Sequence, residues 1–380
     1  MQEKGNILLV ANYASDVGYA WWLMENFWGA ISAHFLKSGV RCVLIYPEVR
    51  AIPDVICQSG IEVVEHDYSD RSASSLLRLR QLIKMYNIKN VYLTDREYYG
   101  FIYLVLRLSG VRRIILHDHK PGEREPASGL IKLIKLAIHS MHILSCDYYI
   151  GVSDFVRQRL IRSACIPPER CGFVLNGIPS HHEESGVAGG VREEFGIPDN
   201  AVIVVSTGRA TFYKGVDFII ECAQQLIVKE AAEHIYFVHC GSGPDITVFQ
   251  EQAKYAGLEE RFIFAGHRND IRRILLSSDI AIQASRGEAF SLSIIEYLAA
   301  GLATLTPNIC GNAEAIEHGK TGILFPPGDV NYVVKWVRKF AENADIRAQF
   351  GAAARESANT KFTIERANLE LLEILDERFI

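Results

Sequence analysis

Short β-branched runs alternate with helical stretches along nearly the whole chain, and they do so in two series. The first series holds "NILLVAN" (6–12), "RCVLIY" (41–46), "NVYL" (90–93), "RIILH" (113–117), "YYIGV" (148–152) and "GFVL" (172–175). Helical patterns fall between them, near 19–37, 73–86, 98–109, 128–144 and 153–164. A stretch rich in Gly, Ser and charge, "NGIPSHHEESGVAGG", then interrupts the pattern. The second series holds "AVIVVST" (201–207), "IYFVHC" (235–240), "RFIFA" (261–265), "DIAIQA" (279–284) and "ATLT" (303–306). Strands that alternate with helices must pair in parallel, in sheets covered on both faces. Two series divided by a hinge-like segment near 176–190 predict two facing doubly wound α/β domains with a cleft between them. The predicted boundaries are 1–178 and 179–362, with a last helix over 363–380 that packs back on the N-terminal domain.

A chain of 380 residues, 49% hydrophobic, can bury the two cores this requires. Its net charge of -5 argues against a dedicated nucleic-acid binder. The eight cysteines are scattered with no C-x-x-C pair, a pattern that fits structural thiols in a reducing, cytoplasmic setting. No run reaches about 18 apolar residues, so no membrane span is expected. The turn after the first strand, "ANYASDVGYAWW", lacks G-x-G-x-x-G, which speaks against a nicotinamide dehydrogenase.

Open α/β sheets bind ligands beyond the carboxyl ends of their strands. Four stretches in the second series stand there. "TGRATFYKG" (207–215) offers Arg209 and Lys214 beside Gly208 and Gly215, two cations suited to a diphosphate. "CGSGP" (240–244) supplies Gly241 for a tight turn or a close backbone approach. "AGHRND" (265–270), with Arg268, can present backbone groups to a base or simply begin a helix at Asn269 or Asp270. "GEAFSLSIIEYLAAG" (287–301) predicts a helix from Phe290 or Ser291 to a glycine cap at Gly301, its amino terminus a ready anion site. Glu296 falls among apolar residues of that helix, where an unpaired carboxylate costs several kcal/mol. Its partner is either a protein cation or a ligand.

Taken in order, these stretches resemble the retaining GT-B glycosyltransferases of family 4, also called glycosyl transferases group 1. The resemblance rests on Gly208-Arg209 with Lys214-Gly215, the Gly241-Ser242-Gly243-Pro244 turn, Gly266 with Asp270, and Glu288 with Glu296 in an E-x7-E spacing. "HGKTGILFPPGD" (318–329) completes it, and "CDYYIGVSDFVRQRLI" (146–161) with "VLNGIP" (174–179) extends it backward. It implies two facing Rossmann-like domains and an enzyme of polysaccharide biosynthesis that moves a sugar from a nucleoside diphosphate to a glycan or lipid-linked acceptor. Configuration would be retained, and neither a metal nor another cofactor would be needed. Arg209, Lys214 and the helix amino terminus would stabilise the leaving diphosphate. Glu296 would hold the ribose, Glu288 the donor sugar, and the segment Ala289, Phe290, Ser291 and Leu292 would complete the donor site. The family's first loop carries paired glycines near the donor phosphates; here only Gly18 stands in that loop. His117, or alternatively His119, matches the family's histidine near the transferred sugar. The alternatives are a nucleotide-sugar epimerase on the same fold and a non-catalytic sugar-nucleotide-binding subunit.

Two apolar stretches admit a second use. "GYAWWLMENFW" is either a core stripe or a wall of the acceptor pocket. "SGLIKLIKLAIHSMHIL" (128–144) sets Lys132, Lys135, His139 and His142 opposite Leu and Ile. It reads as a sheet-covering helix with its basic stripe turned to solvent, the alternative being contact with the inner face of an anionic membrane. Donor base, acceptor, linkage and oligomeric state are not legible in the residues.

Overall fold

The computed structural model describes residues 5–17, 21–179 and 190–379. The chain divides into two units, residues 1–176 with 365–380 and residues 177–364. Each is built on one sheet whose strands all run parallel. In the first unit the strands are β1 (Asn6–Val10), β2 (Cys42–Tyr46), β3 (Glu62–Glu65), β4 (Ile88–Thr94), β5 (Arg113–Asp118), β6 (Tyr148–Gly151) and β7 (Cys171–Phe173), in spatial order β3-β2-β1-β4-β5-β6-β7. In the second they are β8 (Val202–Thr207), β9 (Ile235–Cys240), β10 (Phe262–Gly266), β11 (Ile280–Ile282), β12 (Ala303–Pro307) and β13 (Ile323–Phe325), in order β10-β9-β8-β11-β12-β13. The central strands are buried along their whole length, as the unbroken apolar runs of β2, β8 and β9 require.

Two strands were not foreseen from the sequence, β3 and β13, and both lie at sheet edges. In β3, "EVVE", glutamates stand at both ends of a four-residue strand, and β13 is three residues long. Short, charged edges are how a sheet avoids pairing with other chains, and the same traits hide them from a hydrophobic pattern. The last helix, Ile364–Phe379, belongs to the first unit from Glu365 onward. His34 meets Asp376 at 2.9 Å, and Asn368 donates to the Asn26 side chain at 3.0 Å. Phe27 and Trp28, from the aromatic run, are fully buried core residues.

The helix Gly129–Ser140 corrects the expectation for the 128–144 stretch. Its basic stripe is split: Lys132 and His142 face solvent, whereas Lys135 and His139 turn inward. His139 is the buried residue of the helix, and Lys135 donates to the Ser163 carbonyl at 2.7 Å. Leu130, Ile131, Leu133, Ile134 and Leu136 are exposed instead. The physical reason lies beneath the helix: the buried Arg170 guanidinium donates to the His139 carbonyl at 2.6 Å, giving the polar side something to bond.

At the carboxyl end of β5 a buried ion pair holds the loop that follows. Arg159 meets Asp118 at 3.1 Å and donates to the Lys120 carbonyl at 2.7 Å, while the Tyr98 hydroxyl donates to the same carboxylate at 2.6 Å. Removing one member of such a pair strands a charge away from water. Arg159→Ala is therefore expected to cost about 3–5 kcal/mol, read as a lower midpoint in urea denaturation. A midpoint equal to wild type would show that the pair contributes nothing.

Candidate functional site

In the second sheet the strand order reverses between β8 and β11, so the loops leaving these two strands part to opposite faces and leave a crevice at their carboxyl ends. Two glycines let the segments there approach backbone to backbone. Gly215 has φ +73, and a Cβ on it would lie 2.1 Å from the Ala284 carbonyl oxygen. A Cβ on Gly241 would lie 1.8 Å from the Gly208 carbonyl oxygen, so no side chain fits at either position. The Arg286 N–H donates to the Tyr213 carbonyl at 2.8 Å, tying the two loops together. One outcome of this closeness is that Lys214 Nζ stands 2.5 Å from Glu288 Oε1, with both side chains largely shielded from solvent. The Glu288 carbonyl in turn accepts from the Gly311 N–H at 3.0 Å, which steadies the segment leading into the next helix.

That helix runs from Leu292 to Ala300, with Ser291 as its N-cap and Gly301, at φ +74, as its C-cap. No side chain caps its amino terminus and no acid stands in its first turn, so its first N–H groups keep their affinity for an anion. Tyr297, on the buried side, accepts from the Thr207 N–H at 2.6 Å and so locks the helix to the end of β8. Sequence reasoning missed Tyr297, because a tyrosine in an apolar helix carries no sign of its distant partner. Glu296 sits beside it. Among the described residues no cation pairs with Glu296, and burial pushes its carboxyl up to about 7.

The remaining expected residues fall as follows. Gly208 begins the loop after β8, and Arg209, next to it, is exposed and has no side-chain partner among the described residues. Ala289, Phe290 and Ser291 are buried in the approach to the helix, with Leu292 half-buried at its start. Arg268 is held by its own neighbours. Its guanidinium grips Asp270 through two bonds of 2.8 Å and meets Glu194 at 2.7 Å, so its side chain is not free to bind a ligand and only its backbone is. Asp270 accordingly serves as an arginine clamp for Arg268 and Arg273 rather than as a side-chain cap. Gly18 lies outside the described residues.

The placement of His117 needs correction. β5 continues through Asp118, so His117 lies inside the strand rather than at its end. Its ring is fully buried against Phe27 and His119, with Nδ1 2.5 Å from the Tyr92 hydroxyl, and burial pulls its pKa well down. His119, half-buried just beyond the strand, is the histidine at the carboxyl end of the sheet. Its N–H donates to Asp95 Oδ1 at 2.6 Å; Asp95 itself, at φ +54, closes β4 and escaped sequence analysis.

Because the fold holds the proton on Glu296 up to about 7 against an ordinary 4.5, the folded state binds more protons than the unfolded chain between these values. Stability from this group is present at low pH and is lost as pH rises through 7. Glu296→Gln does not titrate, so it should match wild type near pH 5 and exceed it at pH 8 by at most about 3 kcal/mol. Thermal melts at the two pH values check this. A variant less stable at both would mean that a cation had been stranded.

Three comparisons bear on this geometry. Residues 190–357 match the family model described as glycosyl transferases group 1. The chain is similar to N-acetyl-alpha-D-glucosaminyl L-malate synthase of Bacillus anthracis, 24% identical over 176 residues. That match covers 46% of this chain and less than half, 45%, of the relative's length. In architecture it is similar to a glycosyltransferase from Rickettsia africae, with a TM-score of 0.78, 19% identity and 98% of both chains covered. It is also similar to Anabaena HepE in complex with UDP and glucose, with a TM-score of 0.75, 17% identity and coverage of 98% and 100%. The two Rossmann-like sheets are thus those of a GT-B fold, and residues 190–357, which carry every part of the switch-point site, are the part of the chain that matches the glycosyl transferases group 1 model.

Proposed function

We propose that this chain transfers a sugar from a nucleoside diphosphate donor to a glycan or lipid-linked acceptor, with retention of configuration at the transferred carbon. The observation that carries this reading is the convergence, at one strand-order reversal, of the unpaired Arg209, the Lys214–Glu288 pair and an uncapped helix amino terminus. Two cations and a row of N–H groups suit the charge that develops on a departing diphosphate. They leave no need for a bridging metal. Glu296, which pairs with no cation among the described residues, accepts hydrogen bonds from the ribose hydroxyls. The HepE structure is described as a complex with UDP and glucose, which makes UDP the first nucleotide to try.

Glu288 Oε1 is already engaged by Lys214, so the carboxylate orients the donor sugar rather than attacking it. The acceptor hydroxyl then bonds to the anomeric carbon on the face from which the diphosphate leaves, and its proton passes to the departing phosphate oxygen. The first unit receives the acceptor, with His119 and Asp95 at the carboxyl ends of its central strands.

Titration calorimetry with UDP, GDP and ADP tests the donor assignment. Arg209→Ala and Lys214→Ala should each weaken binding of the preferred nucleotide by about 1.5–3 kcal/mol, roughly 10- to 150-fold, and Arg209→Ala should do so without lowering the melting temperature. Near-normal affinity in both variants would remove the phosphate site. Transfer should also persist in EDTA, and complete loss on chelation that Mg²⁺ restores would reveal a metal requirement. Product analysis with a bound donor completes the test: a new α- or β-glycoside of unchanged configuration supports transfer, whereas a free isomerised sugar points to an epimerase.

A further inference from the structure

The helix Gly129–Ser140 turns its apolar residues away from the first unit, and the helix itself carries no Asp or Glu. Leu130 is 72% exposed, and Ile131 and Leu133 are each 63% exposed. The surface continues into Met141 and Ile143. It reaches Phe101, 64% exposed, whose neighbour Gly100 donates its N–H to the Leu144 carbonyl at 2.9 Å. An ordinary amphipathic helix on a parallel sheet buries its apolar stripe. Here part of the polar stripe, Lys135 and His139, is consumed from below. Lys135 is bonded to Ser163, and the buried His139 ring lies edge-on to Tyr99 and Tyr149.

The charge around this surface selects its partner. Residues 98–117 and 126–146 hold Arg107, Arg112, Arg113, Lys132 and Lys135 and no Asp or Glu; the loop between them, 118–125, carries Asp118, Glu123 and Glu125 beside Lys120 and Arg124, and Arg107 is paired with Asp147. Arg112, Arg113 and Lys132 are exposed. A contiguous aliphatic face whose own helix carries cations and no acid matches the boundary between acyl chains and anionic headgroups. A second copy of the chain is a poorer match. Around a two-fold axis the same patch meets itself, so the cations of each copy would face those of the other. With 12 residues, the helix is far short of the roughly 20 needed to cross a bilayer and suits a position along its surface.

We propose that the outward face of the Gly129–Ser140 helix, flanked by Lys132, Arg112 and Arg113, docks the first unit on an anionic lipid bilayer. The docking stands apart from the sugar-transfer reading, and nucleotide binding measured without lipid separates the failure of one from the failure of the other. The full chain is to be sedimented with vesicles of equal parts phosphatidylcholine and phosphatidylglycerol, and in parallel with phosphatidylcholine alone. It should bind the anionic vesicles, bind the neutral ones markedly less, and release as salt is raised. Ile131→Glu with Leu133→Glu should weaken anionic binding by about tenfold or more, with melting temperature and nucleotide affinity unchanged. Lys132→Glu alone, a change at an exposed position, provides the same test in smaller measure should the double variant fail to fold. Absence of vesicle binding, or equal binding by the charge-bearing variants, overturns the proposal. So does a concentration-dependent dimer in analytical ultracentrifugation that the variants dissociate while no vesicle binding is seen, because the face would then belong to a second copy.

Discussion

The approach of backbone to backbone at the β8 and β11 strand ends is the constraint on which the candidate site depends. With any side chain at Gly215, the Ala284 carbonyl would have to move, and with it the loop that carries Glu288. A Cβ at Gly241 would likewise push against the Gly208 carbonyl and displace the loop that carries Arg209 and Lys214. The short Lys214–Glu288 contact is therefore a consequence of packing, imposed on two segments 74 residues apart by glycines that take no part in any chemistry. It also settles the charge of the site. Glu288 neutralises one of the two loop cations, and Arg209 keeps its full charge at the surface. The site is positive where a diphosphate would lie, without being so positive that it destabilises the unit that builds it.

Glu296 shows the opposite balance. Its helix is bound to the sheet by Tyr297, whose hydroxyl takes the Thr207 N–H, and by the apolar residues Ile294, Ile295 and Leu298. A carboxyl in that setting loses much of its hydration, and among the described residues no cation returns it. A leucine would stabilise the helix more. A group that weakens the fold in which it sits, next to a strand-order reversal and about one turn from an open helix amino terminus, is consistent with the ligand role proposed for it. This cost is modest compared with stranding a full buried charge, because the carboxyl can take up a proton while the site is empty.

The strands of both sheet centres were legible from their unbroken apolar runs, and the site loops from glycines and cations placed directly after those runs. What was not legible depends on distant partners. The edge strands β3 and β13 carry too little apolar sequence to stand out, since an edge has only one neighbour to pair with. Arg268 looked available because Asp270 and Glu194 are its partners only in three dimensions. His117 looked like a strand end because β5 continues through Asp118, a residue of low strand propensity that is retained there by Arg159 and Tyr98.

The inverted helix is the clearest case of tertiary contacts overriding a pattern. Periodicity gives the two faces of the 129–140 segment but not which of them meets the sheet, and the usual assumption is that hydrophobicity decides. Here Arg170 decides. Its guanidinium, buried among the Cys146, Asp147 and His139 carbonyls and the Ser145 hydroxyl, needs acceptors on every side, and a helix end supplies one of them. Once that end is bound, Lys135 and His139 follow inward and five aliphatic side chains are left facing out. In water that arrangement forfeits the burial of each, at about 25 cal/mol per Å² of apolar surface. A fold that accepts this loss, and places no carboxylate on the helix itself, has its lowest free energy where those side chains are covered. An anionic bilayer covers them and satisfies the flanking cations together.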